Sequence, residues 1–207
     1  MIDIKFVVVG HHSRREMATN LAALLGAHLL IDEAEHGANW NHRRALVWAE
    51  EQDSRVVVLE DDATPVSGFA ELANEWLSRF PETLISFYLG TGRPPQYQLE
   101  IATKLVLSDK NRTDYITIPR LIHGVCYSIP PQHLAKVLSR WNHSKAADYA
   151  VGDAYGGPVL YPCYSLVDHA DGMLAEKPKD NMPRLERRKA WRLNGKAHNV
   201  TTTTQSD

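Results

Sequence analysis

The chain has 207 residues, with 23 Lys and Arg against 25 Asp and Glu, which gives a formal net charge of -2 and fits one domain. Hydrophobic residues make up 43% and charged residues 23%, a composition that favours neither a disordered nor a fibrous chain, and the two cysteines, which lie outside any C-x-x-C spacing, rule out a zinc finger or a disulfide scaffold. No apolar run reaches the roughly 18 residues of a membrane span and no signal peptide is recognisable, so we expect a cytoplasmic protein.

The first sixty residues alternate between strand-like and helix-like segments. Short β-branched or apolar runs at 5–9, 27–31 and 55–59 predict strands. Between them, the spacing of apolar residues predicts helices over 13–26 and 40–51. Strands that alternate with helices indicate a parallel sheet, whose ligands bind along the rim formed by the carboxyl ends of the strands.

Beyond residue 68 the alternation continues, with Gly and Pro at several boundaries. The pattern predicts a helix at 69–79, a strand at 83–89, a loop at 90–96, strands at 115–118 and 123–129, and a helix over 130–141. Mixed strands in this half complete the sheet of an α/β protein.

The C-terminal part differs from the rest in charge. Residues 176–207 hold eight Lys or Arg and four acids, which leaves 15 basic and 21 acidic residues in 1–175. We therefore expect a catalytic domain over 1–175 and a basic tail over 176–207 that is partly helical and then disordered. Such a tail permits contact with nucleic acid, although the acidic body does not favour it.

Three adjacent carboxylates, Glu60, Asp61 and Asp62, follow the most strand-like segment of the chain. Strand alternation cannot point all three into solvent, and their mutual repulsion is relieved by a divalent cation. An acidic turn before the next helix is the alternative. No G-x-G-x-x-G or P-loop sequence is present, so a bound nucleotide diphosphate has to be held by a metal ion and by charged side chains.

The segment Val56–Phe69, VVVLEDDATPVSGF, resembles the strand and acidic motif of GT-A-fold glycosyltransferases, in particular the lipopolysaccharide-type enzymes of glycosyltransferase family 25. Weaker similarities follow in the same order, at 37–46, 123–129 and 161–174. The resemblance implies a single-domain GT-A-like Rossmann-type sandwich with a mostly parallel central sheet. It also implies a metal-dependent transferase.

Carried over to this sequence, the resemblance implies a metal and donor site around the acidic motif. Glu60 and Asp61 would contact the ribose or a water on the metal, with Asp61 also close to the metal. Asp62 and His169 would ligate Mn²⁺ or Mg²⁺, manganese being the better match for an imidazole. A surface histidine beside Asp168 is the alternative for His169.

Other polar residues near the predicted rim are candidates for donor binding. Arg14 or Arg15 could offer a guanidinium to the diphosphate, and Asp32 could form a hydrogen bond with the nucleoside. Trp40, together with Arg44, could provide a surface on which a base or sugar stacks. Each has a plain structural alternative: solvated arginines, an N-terminal cap, and a half-buried tryptophan.

Direct displacement at the sugar requires a base beside the acceptor hydroxyl. Asp148, at a predicted helix start, is the first candidate, and Asp153 is the second. Helical spacing separates the two by about 140°, so only one faces a given substrate. Capping of the helix is the alternative role of Asp148, and the sequence leaves open whether the sugar's configuration is inverted or retained.

The sequence therefore predicts a metal-dependent glycosyltransferase that uses a nucleotide diphosphate sugar. Its acceptor is left open among a saccharide, a protein and a modified base. Two other functions also remain open: a metal-dependent nucleotidyl- or phosphoryl-transfer enzyme, and a non-catalytic binding module with an anion-binding tail.

Overall fold

A seven-stranded mixed sheet forms the centre of the protein in the computed structural model, which describes residues 2–170 and 187–195. In chain order its strands are β1 (Ile4–His11), β2 (His28–Asp32), β3 (Arg55–Glu60), β5 (Ile85–Ser86), β6 (Tyr115–Ile118), β7 (Cys126–Ser128) and β8 (Val159–Pro162). Their spatial order in the sheet is β2-β1-β3-β7-β5-β8-β6. Five of these strands share one direction, while β6 and β7 run against it. A separate ribbon pairs β4 (Ala63–Pro65) with β9 (Val167–His169).

Helices cover both faces of the sheet because the central strands are apolar on both sides. In β3, Val56 and Val58 face one core cluster while Val57 and Leu59 face the other. The helices α1 (Arg15–Leu25) and α3 (Phe69–Arg79) contribute to one of these clusters. The other contains residues of α2 (Ala38–Glu50), α4 (Pro95–Asn111), α5 (Leu134–Ser139) and α6 (Ala147–Tyr155). The α/β fold class predicted from the sequence, a sandwich of helices around a central sheet in which most strands share one direction, is confirmed.

The boundaries of the early elements, of α3 and of β6 agree closely with the sequence pattern, whereas several other later elements differ from it. The 17-residue helix α4 was not predicted, because its exposed apolar residues Leu99 and Val106 obscure the periodicity of the buried Ile101 and Leu105. Strands β5 and β7 are shorter than the segments predicted for them. Among the described helices, none combines the length and apolar composition needed to cross a bilayer.

The carboxyl ends of β1, β2 and β3 meet at one rim of the sheet. The parallel register places His11 beside Asp32 and Val9 beside Glu60. The buried side chain of Asn41, on α2, donates from Nδ2 to the carbonyls of Gly10 at 3.1 Å and Leu30 at 3.0 Å. Strand pairing and the two hydrogen bonds of Asn41 bring together polar residues that lie far apart in the chain.

The segment 187–195, which we call the C-terminal segment, lies against the body of the protein. It is not helical, and it forms isolated β-bridges from Ala190 to Gly90 and from Leu193 to Ser165. Residues 176–186 and 196–207 of the expected basic tail lie outside the described residues. The part of the tail that is described therefore packs beside the sheet.

Candidate active site

The acidic motif lies at the carboxyl end of β3 and is largely buried. Asp61 and Asp62 are each 2% exposed. Arg14, just before α1, donates from Nη2 to Asp61 Oδ1 at 2.8 Å and from Nη1 to Asp62 Oδ2. A single guanidinium thus bridges two of the three carboxylates that the sequence predicted to require a cation.

The charge of this cluster is only partly balanced. Burial raises the pKa of Asp61 to about 7, and the neighbouring charges of Asp62 and Glu60 add to the effect. Two contacts lower the pKa of Asp61: the charge of Arg14 and the His11 N–H, which donates to Asp61 Oδ2 at 2.8 Å. They do not offset the rise. The site therefore favours further positive charge.

Glu60 is fixed by a buried histidine on α2. Burial by itself raises the pKa of Glu60, but the hydrogen bond and charge of His42, together with the charges of His169 and Arg14, outweigh it and hold the pKa at about 2. His42 Nε2 lies 3.2 Å from Glu60 Oε1, and its Nδ1 lies 3.0 Å from the hydroxyl of Tyr127. Gly124 leaves room for this arrangement, since a Cβ there would lie 2.6 Å from Glu60 Oε1. Glu60 is thus held as an oriented carboxylate.

Asp62 and His169 are brought together by the ribbon of β4 and β9. Ala63 pairs with His169 in that ribbon, which places His169 Nε2 3.3 Å from Asp62 Oδ2. His169 Nδ1 lies 2.7 Å from the carbonyl oxygen of Ala170. That oxygen can only accept, so Nδ1 carries a proton and Nε2 is the ring nitrogen left to bind a cation.

Two acceptor atoms at this point have no hydrogen-bond partner among the described residues. They are Oδ1 of Asp62 and Nε2 of His169, both buried. Buried polar atoms are normally paired, and an unpaired acceptor is satisfied by a donor or a cation. The donor set of one carboxylate oxygen and one imidazole nitrogen fits a divalent cation such as Mn²⁺.

A cleft with two compartments opens beside these residues. The smaller compartment, about 170 Å³, is bordered by the rim of the sheet and the acidic motif. The larger, about 310 Å³, extends towards α6 and the loop before α4. Glu60, Ala38 and Arg188 line both, so the compartments adjoin at the acidic motif. This arrangement suits two ligands that react where the compartments meet.

Asp148 lies in the larger compartment, in the first turn of α6. Burial raises its pKa to about 6, against the opposing effect of a hydrogen bond from its neighbour's backbone, the Tyr149 N–H at 2.8 Å. Asp153 instead pairs with Arg120 and Lys145, and it lines neither compartment. Of the two candidate bases, only Asp148 faces the cleft.

Among the predicted donor-binding residues, Arg14 and Asp32 line the smaller compartment. Asp32 also organises the loop before α2, since its Oδ2 accepts from the Gly37 N–H at 2.7 Å and its Oδ1 from Ala34 N–H at 3.3 Å. Arg15 points elsewhere, because it pairs with the exposed Glu33.

Trp40 and Arg44 lie outside the residues that line the cleft. The ring of Trp40 stacks on the ring of His36 with a centroid distance of 4.0 Å. The guanidinium of Arg44, which like Trp40 lies on α2, is 4.5 Å from the centroid of the Trp40 ring. Arg44 also donates to the Ile31 carbonyl at 3.2 Å. These contacts give the two residues a structural role beside the rim.

Several cleft residues were missed by the sequence analysis. His42, Asn41, Gly124 and Arg188 carry no motif of their own, and only the fold places them beside Glu60 and Asp62. His123 also lines the larger compartment. Burial lowers its pKa to about 4, and its Nε2 accepts from the Gly90 N–H at 3.1 Å, which suits a neutral ring.

A second group of potential metal ligands lies beside the smaller compartment. One ligand atom each from His11, His12 and Glu35 falls within 4.8 Å of the others. This group is more exposed than Asp62 and His169, and His11 Nδ1 is already 2.7 Å from the Ser13 hydroxyl. It provides an internal comparison for any test of metal binding.

Comparison with known proteins supports the fold alone. No protein-family model matches the chain, and no curated protein does either. Among solved structures, the chain is similar to the one described as "Crystal Structure of A197 from STIV", with a TM-score of 0.53 and 10% sequence identity. The similarity covers 96% of this chain and 99% of that chain, so it extends over the whole sandwich.

Proposed function

We propose that the protein is a metal-dependent glycosyltransferase that moves a sugar from a nucleotide diphosphate sugar to an acceptor hydroxyl. The observation that carries this proposal is that Asp62 Oδ1 and His169 Nε2 are buried where two compartments of one cleft meet and have no hydrogen-bond partner among the described residues. The resemblance of the acidic motif to glycosyltransferase family 25 supports the same activity.

The diphosphate of the donor would lie in the smaller compartment. Asp62 and His169 would hold Mn²⁺, which when bound supplies positive charge to the diphosphate leaving group. Arg14 presents its guanidinium from the turn before α1, and its Nε is buried without a hydrogen-bond partner in the part of the chain that the structure describes. Glu60, held ionised by His42, offers its carboxylate to a hydroxyl of the ribose or the sugar.

The acceptor fits the larger compartment. Asp148 would take the proton of the acceptor hydroxyl as that oxygen attacks the anomeric carbon and the bond to the nucleotide diphosphate breaks. A base near pKa 6 is largely ionised at neutral pH and still strong enough to accept a proton in the transition state. This geometry favours direct displacement with inversion.

The metal-site assignment is tested by calorimetry with a panel of nucleotide sugars, each titrated with and without Mn²⁺. We expect one donor to bind only with Mn²⁺, and Asp62→Asn to weaken that binding on the order of 100-fold, because it removes the only charged ligand. His12→Gln, which alters the exposed ligand group, is the matched control and should retain the dependence.

The products separate this function from the alternatives. Release of a free nucleoside diphosphate indicates glycosyl transfer, whereas pyrophosphate or a sugar phosphate indicates nucleotidyl or phosphoryl transfer. Unchanged donor binding by Asp62→Asn, or loss of it only in His12→Gln, contradicts the assignment to Asp62 and His169.

A further inference from the structure

We propose that Arg188 exchanges partners, serving as a counter-cation for Asp62 in the free protein and as a ligand of the diphosphate when metal and donor are bound. The inference rests on the proposed function and adds a binding residue from the C-terminal segment. It predicts that metal and diphosphate strengthen each other's binding.

The backbone around Arg188 is held firmly in place. Thr91 N–H donates to the Lys189 carbonyl at 2.9 Å, and Ala190 N–H donates to Asp168 Oδ1 at 2.8 Å. Trp191 N–H donates to the Leu89 carbonyl at 2.8 Å. Three consecutive residues after Arg188 are therefore tied to the body, so its Cα has a fixed position beside the cleft.

The side chain of Arg188 is held much more loosely than its backbone. Its Nη2 lies 3.6 Å from Asp62 Oδ2, longer than a hydrogen bond, and the side chain is 31% exposed. Arg14, by comparison, is 14% exposed and contacts both Asp61 and Asp62. Arg14 is a fixed partner of the acidic motif, and Arg188 is an exchangeable one.

Besides Asp62, the diphosphate of the proposed donor is a possible partner for the Arg188 side chain. It lines both compartments of the cleft, so its side chain already borders the space proposed for the diphosphate. A divalent cation on Asp62 and His169 would repel the guanidinium from that carboxylate. The planar guanidinium then has a better partner in phosphate oxygens, which it binds in a bidentate manner.

The exchange has opposite consequences for the two ligands. Mn²⁺ alone has to compete with Arg188 for Asp62, so it binds more weakly than the ligand set would allow. Manganese pyrophosphate gives the displaced guanidinium an anion to bind. A residue that only supported the fold would affect both ligands in the same direction.

The test compares the full-length protein with Arg188→Gln, using Mn²⁺ alone and then preformed manganese pyrophosphate. Mn²⁺ binding is followed by electron paramagnetic resonance and pyrophosphate binding by calorimetry. We expect Arg188→Gln to bind Mn²⁺ about three- to tenfold more tightly and manganese pyrophosphate about tenfold more weakly. Arg188→Lys should resemble the wild type with Mn²⁺ and be intermediate with pyrophosphate, because it keeps the charge and loses the bidentate geometry.

Arg79→Gln is the matched control, because Arg79 is an exposed arginine that pairs with Asp114 away from the cleft. It should leave both affinities unchanged. Changes in the same direction for both ligands, or no change for Arg188→Gln, overturn the exchange while leaving the metal site intact. A wild-type protein that binds neither Mn²⁺ nor its pyrophosphate complex overturns both the exchange and the metal-dependent function.

Discussion

Asp148 is the side chain whose proposed role depends most on its surroundings. An exposed aspartate is too weak a base to help a hydroxyl at neutral pH, whereas burial raises the pKa of Asp148 to about 6. It lines the larger compartment, where we propose that the acceptor binds. Asp153, five residues on, lacks both properties because its carboxylate is held by Arg120 and Lys145.

We therefore predict that Asp148→Asn lowers transfer on the order of 10²- to 10⁴-fold while donor affinity is retained. In the wild type, kcat/KM should fall as the pH drops through about 6, because protonation removes the base. Measurement of kcat/KM from pH 5 to 8 checks the profile, and Asp153→Asn is the control that should keep it. A wild-type profile flat across this range contradicts the assignment.

Single residues were predictable only where the sequence itself groups them. Glu60, Asp61 and Asp62 are adjacent, so their need for a cation follows from the sequence. His42 and Arg188 were not foreseeable in the same way, because their contacts with the motif exist only in the folded chain. A buried histidine on a helix and an arginine in a basic stretch have the same local signature as ordinary structural residues.

At the scale of elements, the rim depends on the close approach of β1 to its neighbours. Gly10, near the end of β1, has no room for a side chain. A Cβ there would lie 2.7 Å from Ala18 Cβ on α1 and 2.9 Å from Ile31 Cδ1 on β2. The Ile31 side chain can turn away, but the contact with Ala18 requires β1 or α1 to shift.

We predict that Gly10→Ala lowers the free energy of unfolding by about 1–3 kcal/mol through overpacking, and weakens donor binding because it shifts the rim. Urea unfolding and calorimetry measure the two effects. Gly26→Ala is the comparison: Gly26 ends α1 at φ +59° with open space around it, so we expect only a conformational cost of about 1 kcal/mol and normal donor binding. Normal stability of Gly10→Ala would show that the neighbours yield without cost.

The elements that the sequence pattern predicted well include β1 and β3, whose central residues are buried on both faces. β1 and β3 are short, β-branched and bounded by turns, and their helices have regular apolar spacing. The segment 83–89 is equally apolar, yet only β5 joins the sheet. Beyond β5, the Leu89 N–H donates to the Ser165 hydroxyl at 3.0 Å. The backbone there bonds to a side chain and not to the backbone of a neighbouring strand. Such an alternative partner is not visible in a hydrophobic pattern.

At the scale of the whole molecule, the C-terminal segment connects the stability of the fold to the cleft. Trp191 packs against one core cluster, and its Nε1 donates to Gln98 Oε1 at 3.0 Å. Arg192 makes a bidentate pair with Asp109 at 2.6 and 2.7 Å. Both contacts anchor the segment to α4, a few residues from Arg188.

We predict that Trp191→Ala lowers the free energy of unfolding by about 2–3 kcal/mol, less than for a fully buried tryptophan, and also weakens binding of manganese pyrophosphate. Trp191→Phe should keep the packing and lose only the hydrogen bond, at a cost of about 1 kcal/mol. Chemical denaturation and calorimetry give the two measurements. Loss of stability by Trp191→Ala without loss of pyrophosphate binding would separate the segment from the cleft.

The charge distribution of the sequence takes on a different meaning in the fold. The sequence divides into an acidic body and a basic end, which predicted an appendage. In the described residues, two arginines of that end face acids of the body, Arg188 at Asp62 and Arg192 at Asp109. Sequence composition reveals the opposite charges, but only tertiary contacts reveal that they compensate each other.

The ribbon of β4 and β9 brings together two residues, Asp62 and His169, that lie at the ends of a long loop of the chain. Asp62 and His169 are separated by roughly a hundred residues of chain, which include most of the second half of the sheet. A cation held by both would act as a reversible crosslink that closes this long loop, and long loops have the largest closure entropy to remove. Ligand binding to the folded state would then raise stability by about 2.7 kcal/mol at a hundredfold excess over Kd. The same two atoms that favour a cation for catalysis would thus make the cation part of what holds the two halves of the chain together.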